Sequence, residues 1–69
     1  MSEYVTVKGR VAARTPQAIC LLIEGDEHWV PRSCMEDGGH DVDVAWDADG
    51  YMTEVETEVA AWKAKELGL

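Results

Sequence analysis

Alternation of apolar and polar residues begins close to the N-terminus. Over positions 3–14, one parity holds Val5, Val7, Val11 and Ala13, and the other holds Tyr4, Thr6, Lys8 and Arg10. This period of two predicts a half-buried β-strand. After a turn at 15–17, residues 18–23 are apolar on both parities, which predicts a central strand that is covered on both faces.

A hairpin should lead from this strand into a short third strand. Gly25-Asp26 suits the tight turn. The register then places Glu24 beside Glu27, Ile23 beside His28 and Leu22 beside Trp29. Pro31 lacks a backbone donor and belongs at a strand edge or end. We expect a loop over residues 33–40.

A second hairpin is predicted over residues 41–57. Val42, Val44 and Trp46 alternate with carboxylates before a turn at 47–50, and Tyr51, Thr53, Val55 and Thr57 alternate with carboxylates after it. A four-residue turn sets Asp43 opposite Glu54 and keeps both faces uniform, whereas a three-residue turn scrambles them. The alternative is a helix that starts at an N-cap Thr53 with Glu56 in a capping box.

The last predicted element is a helix over residues 58–67. Its signals are Thr57 as N-cap, Glu58 in the first turn, Lys63 and Lys65 in the last turn, and Gly68 at the C-cap. Trp62 should anchor this helix to the sheet. The predicted fold is a single α+β domain of residues 1–69, with a twisted antiparallel sheet of about five strands, open or curled into a small barrel.

Negative charge is concentrated in the middle of the chain. The net charge is -8, yet the stretch from Glu24 to Glu58 holds twelve acidic residues and one cation, Arg32. Like charges crowded on a small folded surface oppose folding, so we expect this stretch to bind a basic partner. The alternative is a solvated acidic face that only keeps the protein soluble.

The second hairpin is therefore the candidate partner-binding site. Its residues are Asp41, Asp43, Asp47, Asp49, Glu54, Glu56, Tyr51 and Met52. Rows of carboxylates on neighbouring strands would resemble backbone phosphates, so a Lys/Arg-rich groove that holds DNA could accept them. The last two residues would add apolar contacts. We expect no direct nucleic-acid binding, because Lys8, Arg10 and Arg14 are too few against the overall charge.

Other chemistries have little support in the sequence. Cys20 and Cys34 should be reduced thiols, and with the two histidines they lack the spacing of a zinc site. Residues 47–51 lack the further ligands of a calcium loop. No strained nucleophile turn or phosphate loop is present. Taken with the missing zinc and calcium patterns, this leads us to expect no metal, no cofactor and no enzymatic activity. A leader peptide and an apolar run of about 18 residues are also missing, which predicts a cytoplasmic location.

Two short motifs resemble those of small phage-encoded proteins. They are Trp-Val-Pro-Arg-Ser at 29–33, after an Ile-Glu-Gly-Asp-Glu hairpin, and Trp-Lys-Ala-Lys-Glu-Leu-Gly-Leu at 62–69. The resemblance implies a phage or mobile-element origin and a compact sheet-plus-helix form, and it supplies no catalytic residue. By size and acidity the chain also resembles the anti-CRISPR proteins, several of which block Cascade-type complexes by mimicking DNA.

The resemblance implies a monomeric, non-enzymatic inhibitor of a type I (Cascade-type) complex that acts in the bacterial host cytoplasm. One alternative is a phage structural or accessory domain that makes its contacts through residues 29–33. Another is a transcription accessory protein that binds RNA polymerase or a sigma factor.

Overall fold

The computed structural model describes residues 3–69, which form one open, four-stranded antiparallel sheet and two α-helices. The strands are β1 (Tyr4–Arg14), β2 (Ala18–Ile23), β3 (Asp26–Pro31) and β4 (Glu54–Ala60), in the order β3-β2-β1-β4. The remaining elements are a short 3₁₀ turn (Arg32–Cys34), α1 (His40–Asp49) and α2 (Ala61–Leu67). The α+β class and the C-terminal helix are confirmed. Met1 and Ser2, the first residues of the segment for which no leader peptide is predicted, lie outside the described residues.

The core lies between one face of the sheet and the two helices. Its fully buried side chains include Val11, Ile19, Leu21, Val30, Val42 and Val59. Thr57 of β4 donates a hydrogen bond from Oγ1 to Asp41 Oδ1 at 3.1 Å, so α1 crosses the sheet on this face. Ala64 and Leu67 of α2 pack on the same core. The other face of the sheet, which we call the open face, meets solvent.

A β-bulge near the end of β1 brings Arg14 to the core side of the sheet. The register runs Val11↔Leu21, then Ala13↔Cys20 and Arg14↔Ile19, which leaves one extra residue in β1. Because side chains alternate along a strand, one extra residue exchanges the two faces beyond it. Arg14 therefore shares the face of Ile19, and Ala13 does not lie on the predicted face.

The turn between β2 and β3 is Glu24-Gly25, one residue earlier than predicted. Both residues have positive φ, 53° and 84°, as the type I′ turn of a two-residue hairpin requires. The pairs are Ile23↔Asp26, Leu22↔Glu27, Leu21↔His28 and Cys20↔Trp29. The predicted register is thus wrong by two residues, although each side chain keeps its face. Pro31 ends an edge strand, as expected.

The predicted strand at the start of the second hairpin is wrong, because residues 40–49 form α1. Val42 is 0% exposed and Val44 is 55% exposed, since residues two apart point to opposite sides of a helix. Asp37 fixes the start of α1: its carboxylate accepts the backbone N–H groups of Gly39 and Asp41 at 3.0 and 3.1 Å. Gly50, with φ of 80°, ends the helix.

The second half of that hairpin is a strand, and the alternative helix from Thr53 does not form. β4 pairs with β1, however, and it continues to Ala60. The pairing of β4 with β1 outweighs the local helix signals. Thr57 is therefore buried in β4, and α2 starts three residues later than predicted. Trp62 is 64% exposed and does not anchor α2. Gly68 closes α2 with φ of 79°, which confirms the predicted C-cap.

We predict that Trp46 and Trp62 differ in their effect on stability. Trp46 of α1 packs against the core, so Trp46→Ser should lower the free energy of unfolding by about 2 kcal/mol. Trp62→Ser should change it by less than about 0.5 kcal/mol, because that side chain is mostly in solvent. Urea unfolding followed by circular dichroism measures both. Equal losses would contradict this packing.

Candidate functional site

The structure distributes the eight predicted partner-binding residues over three places. Asp41, Asp47, Asp49, Tyr51 and Met52 lie on α1 or in the loop that follows it, Asp43 lies between α1 and the sheet, and Glu54 and Glu56 lie on the open face. The predicted carboxylate ladder, which set residues 41 and 43 opposite 56 and 54, does not exist. Its two halves are on opposite sides of the sheet.

Asp43 is bound by two arginines from within the chain. Arg14 Nη1 lies 2.7 Å from Asp43 Oδ1, and Arg32 donates from Nη1 to Oδ2 at 2.8 Å and from Nη2 to Oδ1 at 3.1 Å. Arg32 also donates to the carbonyl oxygens of Thr15 and Gly38, at 2.9 and 3.1 Å. This set of contacts, the Asp43 clamp, fixes the start of α1 to the end of β1. Asp43 is therefore not free to meet a partner.

The Asp43 clamp also changes the acidity of its members. The hydrogen bond from Arg32, with a further one from Arg14, holds the pKa of Asp43 below its ordinary value, although partial burial opposes the shift. The same hydrogen bond raises the pKa of Arg32. A depressed carboxyl pKa means that the folded state favours the charged form.

We predict that the stabilisation from Asp43 is lost in acid. The folded pKa is depressed, so the contribution is complete above the ordinary carboxyl value of about 4 and disappears as pH falls through the lower folded value. At pH 7, Asp43→Asn should lower the free energy of unfolding by about 1 to 3 kcal/mol. The loss should shrink towards pH 2. Denaturant titrations at both pH values measure it.

Glu54→Gln serves as the control for that experiment. Its carboxylate forms an ion pair in solvent, where such pairs contribute about 1 kcal/mol or less. A loss for Asp43→Asn that is no larger than the control, or that is the same at both pH values, would contradict the role of the clamp.

Opposite charges face each other across β1 and β4 on the open face. Lys8 Nζ lies 3.7 Å from Glu56 Oε1, and Arg10 Nη2 lies 2.7 Å from Glu54 Oε1. The register places each basic residue directly opposite its acidic partner, which favours strand pairing. These two carboxylates are thus compensated within the chain. Glu54 and Glu56 therefore face basic residues, and not other carboxylates as the predicted hairpin would require.

The remaining exposed predicted residues lie on α1 and in the loop that follows it. We define the α1 acidic face as the exposed residues Asp41, Val44, Asp47, Ala48, Asp49 and Tyr51. Tyr51 is 70% exposed, and residues 40–53 contain neither lysine nor arginine. Met52 contributes less than predicted, because it is half-buried and its backbone N–H donates to the Val11 carbonyl oxygen at 2.8 Å.

Two carboxylates of this face stand where they destabilise their own helix. Asp47 and Asp49 are in the last turn of α1, which has no basic residue, and a helix C-terminus carries partial negative charge. Asp47 Oδ1 lies 3.4 Å from Arg14 Nη2, and Asp49 Oδ2 accepts from Thr53 Oγ1 at 3.4 Å. These long contacts offset the repulsion only in part. The placement points to a role other than stability.

Aromatic side chains hold Tyr51 against the end of α1. The rings of Tyr51 and Trp46 meet edge to face, with centroids 6.4 Å apart and an interplanar angle of 85°. The guanidinium of Arg14 lies 5.1 Å from the Trp46 ring centroid. Edge-to-face pairs and cations over rings are both favourable geometries. The Tyr51 ring thus contacts α1 through Trp46 although most of the ring is in solvent.

The sequence pattern indicates the carboxylates of this face but not the helix that presents them. The predicted hairpin places Val44 in a strand and Ala48 in a turn. The signal for α1 was present: Asp37-Gly38-Gly39 before the apolar positions, acidic residues in the first turn, and Gly50 at the end. These are ordinary helix start and stop signals.

Potential metal ligands and thiols are the other reactive groups of the chain. No three His, Cys, Asp or Glu side chains of residues 3–69 come together as a metal site would need. Cys20 and Cys34 are free thiols, as predicted, and both are buried. Burial, with a smaller effect of Glu27, raises the pKa of the Cys20 thiol. Within the same residues, no helix is long and apolar enough to cross a membrane.

No known family, curated protein or solved structure is significantly similar to this chain. The site is therefore interpreted from its own chemistry.

We predict that removing charge from the two ends of α1 has opposite effects. Asp49→Asn relieves repulsion at the C-terminus and should raise the free energy of unfolding by about 0.3 to 1 kcal/mol, or Tm by a few degrees for a domain of this size. Asp41→Asn removes a favourable N-terminal charge and should lower it. Differential scanning calorimetry at low salt measures both, and shifts in the same direction would contradict the assignment.

Proposed function

We propose that this chain is a non-enzymatic inhibitor whose α1 acidic face occupies a Lys/Arg-rich nucleic-acid-binding groove of another protein. Support comes from the distribution of ion pairs. Among residues 3–69, five of the six lysines and arginines are bound to carboxylates of the chain. Most of the fourteen acidic side chains, all within these residues, form no ion pair with a lysine or arginine, and Asp41 and Asp49 of α1 are among them.

The placement of Asp47 and Asp49 is the observation that carries the proposal. Carboxylates in the last turn of a helix cost stability, whereas a basic partner would gain from both the carboxylates and the helix end. In this mechanism, long-range attraction speeds the encounter with the groove. The exposed side chains of Val44 and Tyr51 then make apolar contacts that slow dissociation.

The candidate target is a Cascade-type complex in the cytoplasm of a bacterial host, which the inhibitor would bind as a monomer. This part of the proposal comes from the resemblance in size and acidity to anti-CRISPR proteins. The groove of such a complex must attract a phosphate backbone, so it offers the charge that α1 requires. Direct binding of the inhibitor to nucleic acid is not part of this mechanism.

The alternative is a phage structural or accessory domain, and one observation favours it. Trp29 of the edge strand β3 is 49% exposed on the open face. In that case contacts would run through residues 29–33, and the acidic face would only solubilise the protein. Arg32 is already engaged in the Asp43 clamp, which leaves less of this motif for a partner. A transcription accessory protein would differ from the first proposal in its target alone.

Two double variants that remove the same charge test the proposal. Asp47→Asn/Asp49→Asn changes the α1 acidic face, and Glu54→Gln/Glu56→Gln changes the paired carboxylates of the open face. In competition with target DNA for a purified Cascade-type complex, the first should inhibit at least tenfold less well and the second within about threefold of the parent. Inhibition by the parent should weaken steeply between about 50 and 200 mM salt.

Each result has a separate meaning. Equal losses in both variants would show that net charge alone acts, and full inhibition by the α1 variant with an intact fold would remove α1 from the mechanism. A parent protein that leaves DNA binding unchanged would exclude this target. Saturable micromolar binding of the parent to free DNA in a gel shift would contradict the mechanism itself.

A further inference from the structure

Three features that attract a cation come together at the C-terminal end of α1. The carboxylates of Asp47 and Asp49 are in the last helical turn, and the carbonyl groups of that turn carry partial negative charge. The exposed ring of Tyr51 is held beside this turn through its contact with Trp46. An aromatic face binds cations through its quadrupole. The charge and the exposed ring at this end of α1 both favour a cation.

The chain contains an internal example of the cation that suits such a site. The guanidinium of Arg14 lies over the Trp46 ring at 5.1 Å and reaches both Asp43 and Asp47, at 2.7 and 3.4 Å. One planar group thus stacks on an aromatic ring and binds carboxylates at its edge. Tyr51 and Asp49 are both exposed at the end of the same helix and provide the same two kinds of group, a ring and a carboxylate.

We infer that the α1 acidic face recognises arginine side chains of its partner in preference to lysines. A guanidinium is planar and weakly hydrated, so it stacks on a ring while its edge donates to a carboxylate. An ammonium is compact and strongly hydrated, and it gains little from the ring beyond its charge. The inference rests on the proposed function and specifies its partner: a protein surface rich in arginine, with an arginine placed against Tyr51.

Two peptides of equal charge test this preference. Nona-arginine and nona-lysine are titrated into the full chain by calorimetry at low salt. The parent should bind nona-arginine about three- to fivefold more tightly, the gain expected for one exposed cation–aromatic contact. Tyr51→Leu keeps an apolar side chain and should reduce the preference below about twofold, without changing the affinity for nona-lysine.

The controls separate this inference from the proposed function. Tyr4→Leu changes an exposed tyrosine on β1, away from α1, and should leave the preference unchanged. Asp47→Asn/Asp49→Asn should weaken both peptides. Equal affinity of the parent for both peptides, or an unchanged preference in Tyr51→Leu, would overturn the inference and leave the proposed function standing. Binding to neither peptide, or no effect of the double variant, would count against the proposed function as well.

Discussion

The Asp43 carboxylate holds α1 on the sheet because it binds guanidinium groups that come from two different parts of the chain. Arg14 reaches it only because the bulge in β1 turns that side chain to the core side, and Arg32 reaches it from the 3₁₀ turn after β3. Bidentate, charge-assisted hydrogen bonds are among the stronger polar contacts in proteins. With Asp43 facing inwards, the rotation of α1 is fixed, and the residues on its other side must face solvent.

This arrangement divides an acidic chain into two kinds of surface. On the open face, register pairs Glu54 and Glu56 with basic residues of β1, and the charges there stabilise the sheet. On α1, Asp47 and Asp49 repel the end of their own helix. Carboxylates that are close together in the sequence are thus paired with cations on one surface and only partly paired on another. The partly paired surface is the one that we propose for the partner.

Local patterns were enough to predict much of the sheet. The existence of β1, the central position of β2 and the position of Pro31 at the end of an edge strand agree with the structure. The bulge in β1 moves Ala13 off its predicted face, and the helices cover only one face of the sheet, not both faces of β2 as predicted. The order of the strands could not be predicted, because β4 pairs with β1 across most of the chain. Alternation also gave the wrong element for α1, where Val42 and Val44 fit a strand as well as a helix. The predicted geometry of the candidate site was wrong for the same reason. Asp43, Glu54 and Glu56 pair with basic residues that only the tertiary fold brings close to them.

The central claim is that the α1 acidic face, and not the open face of the sheet, meets a basic partner. A nitrogen-15 NMR titration with nona-arginine tests it residue by residue, because amide shifts report where a ligand contacts the chain. The account predicts the largest shifts at Val44, Asp47, Asp49 and Tyr51, with little change at Lys8, Arg10, Glu54 and Glu56. Shifts concentrated on the open face, or spread evenly over the molecule, would contradict it.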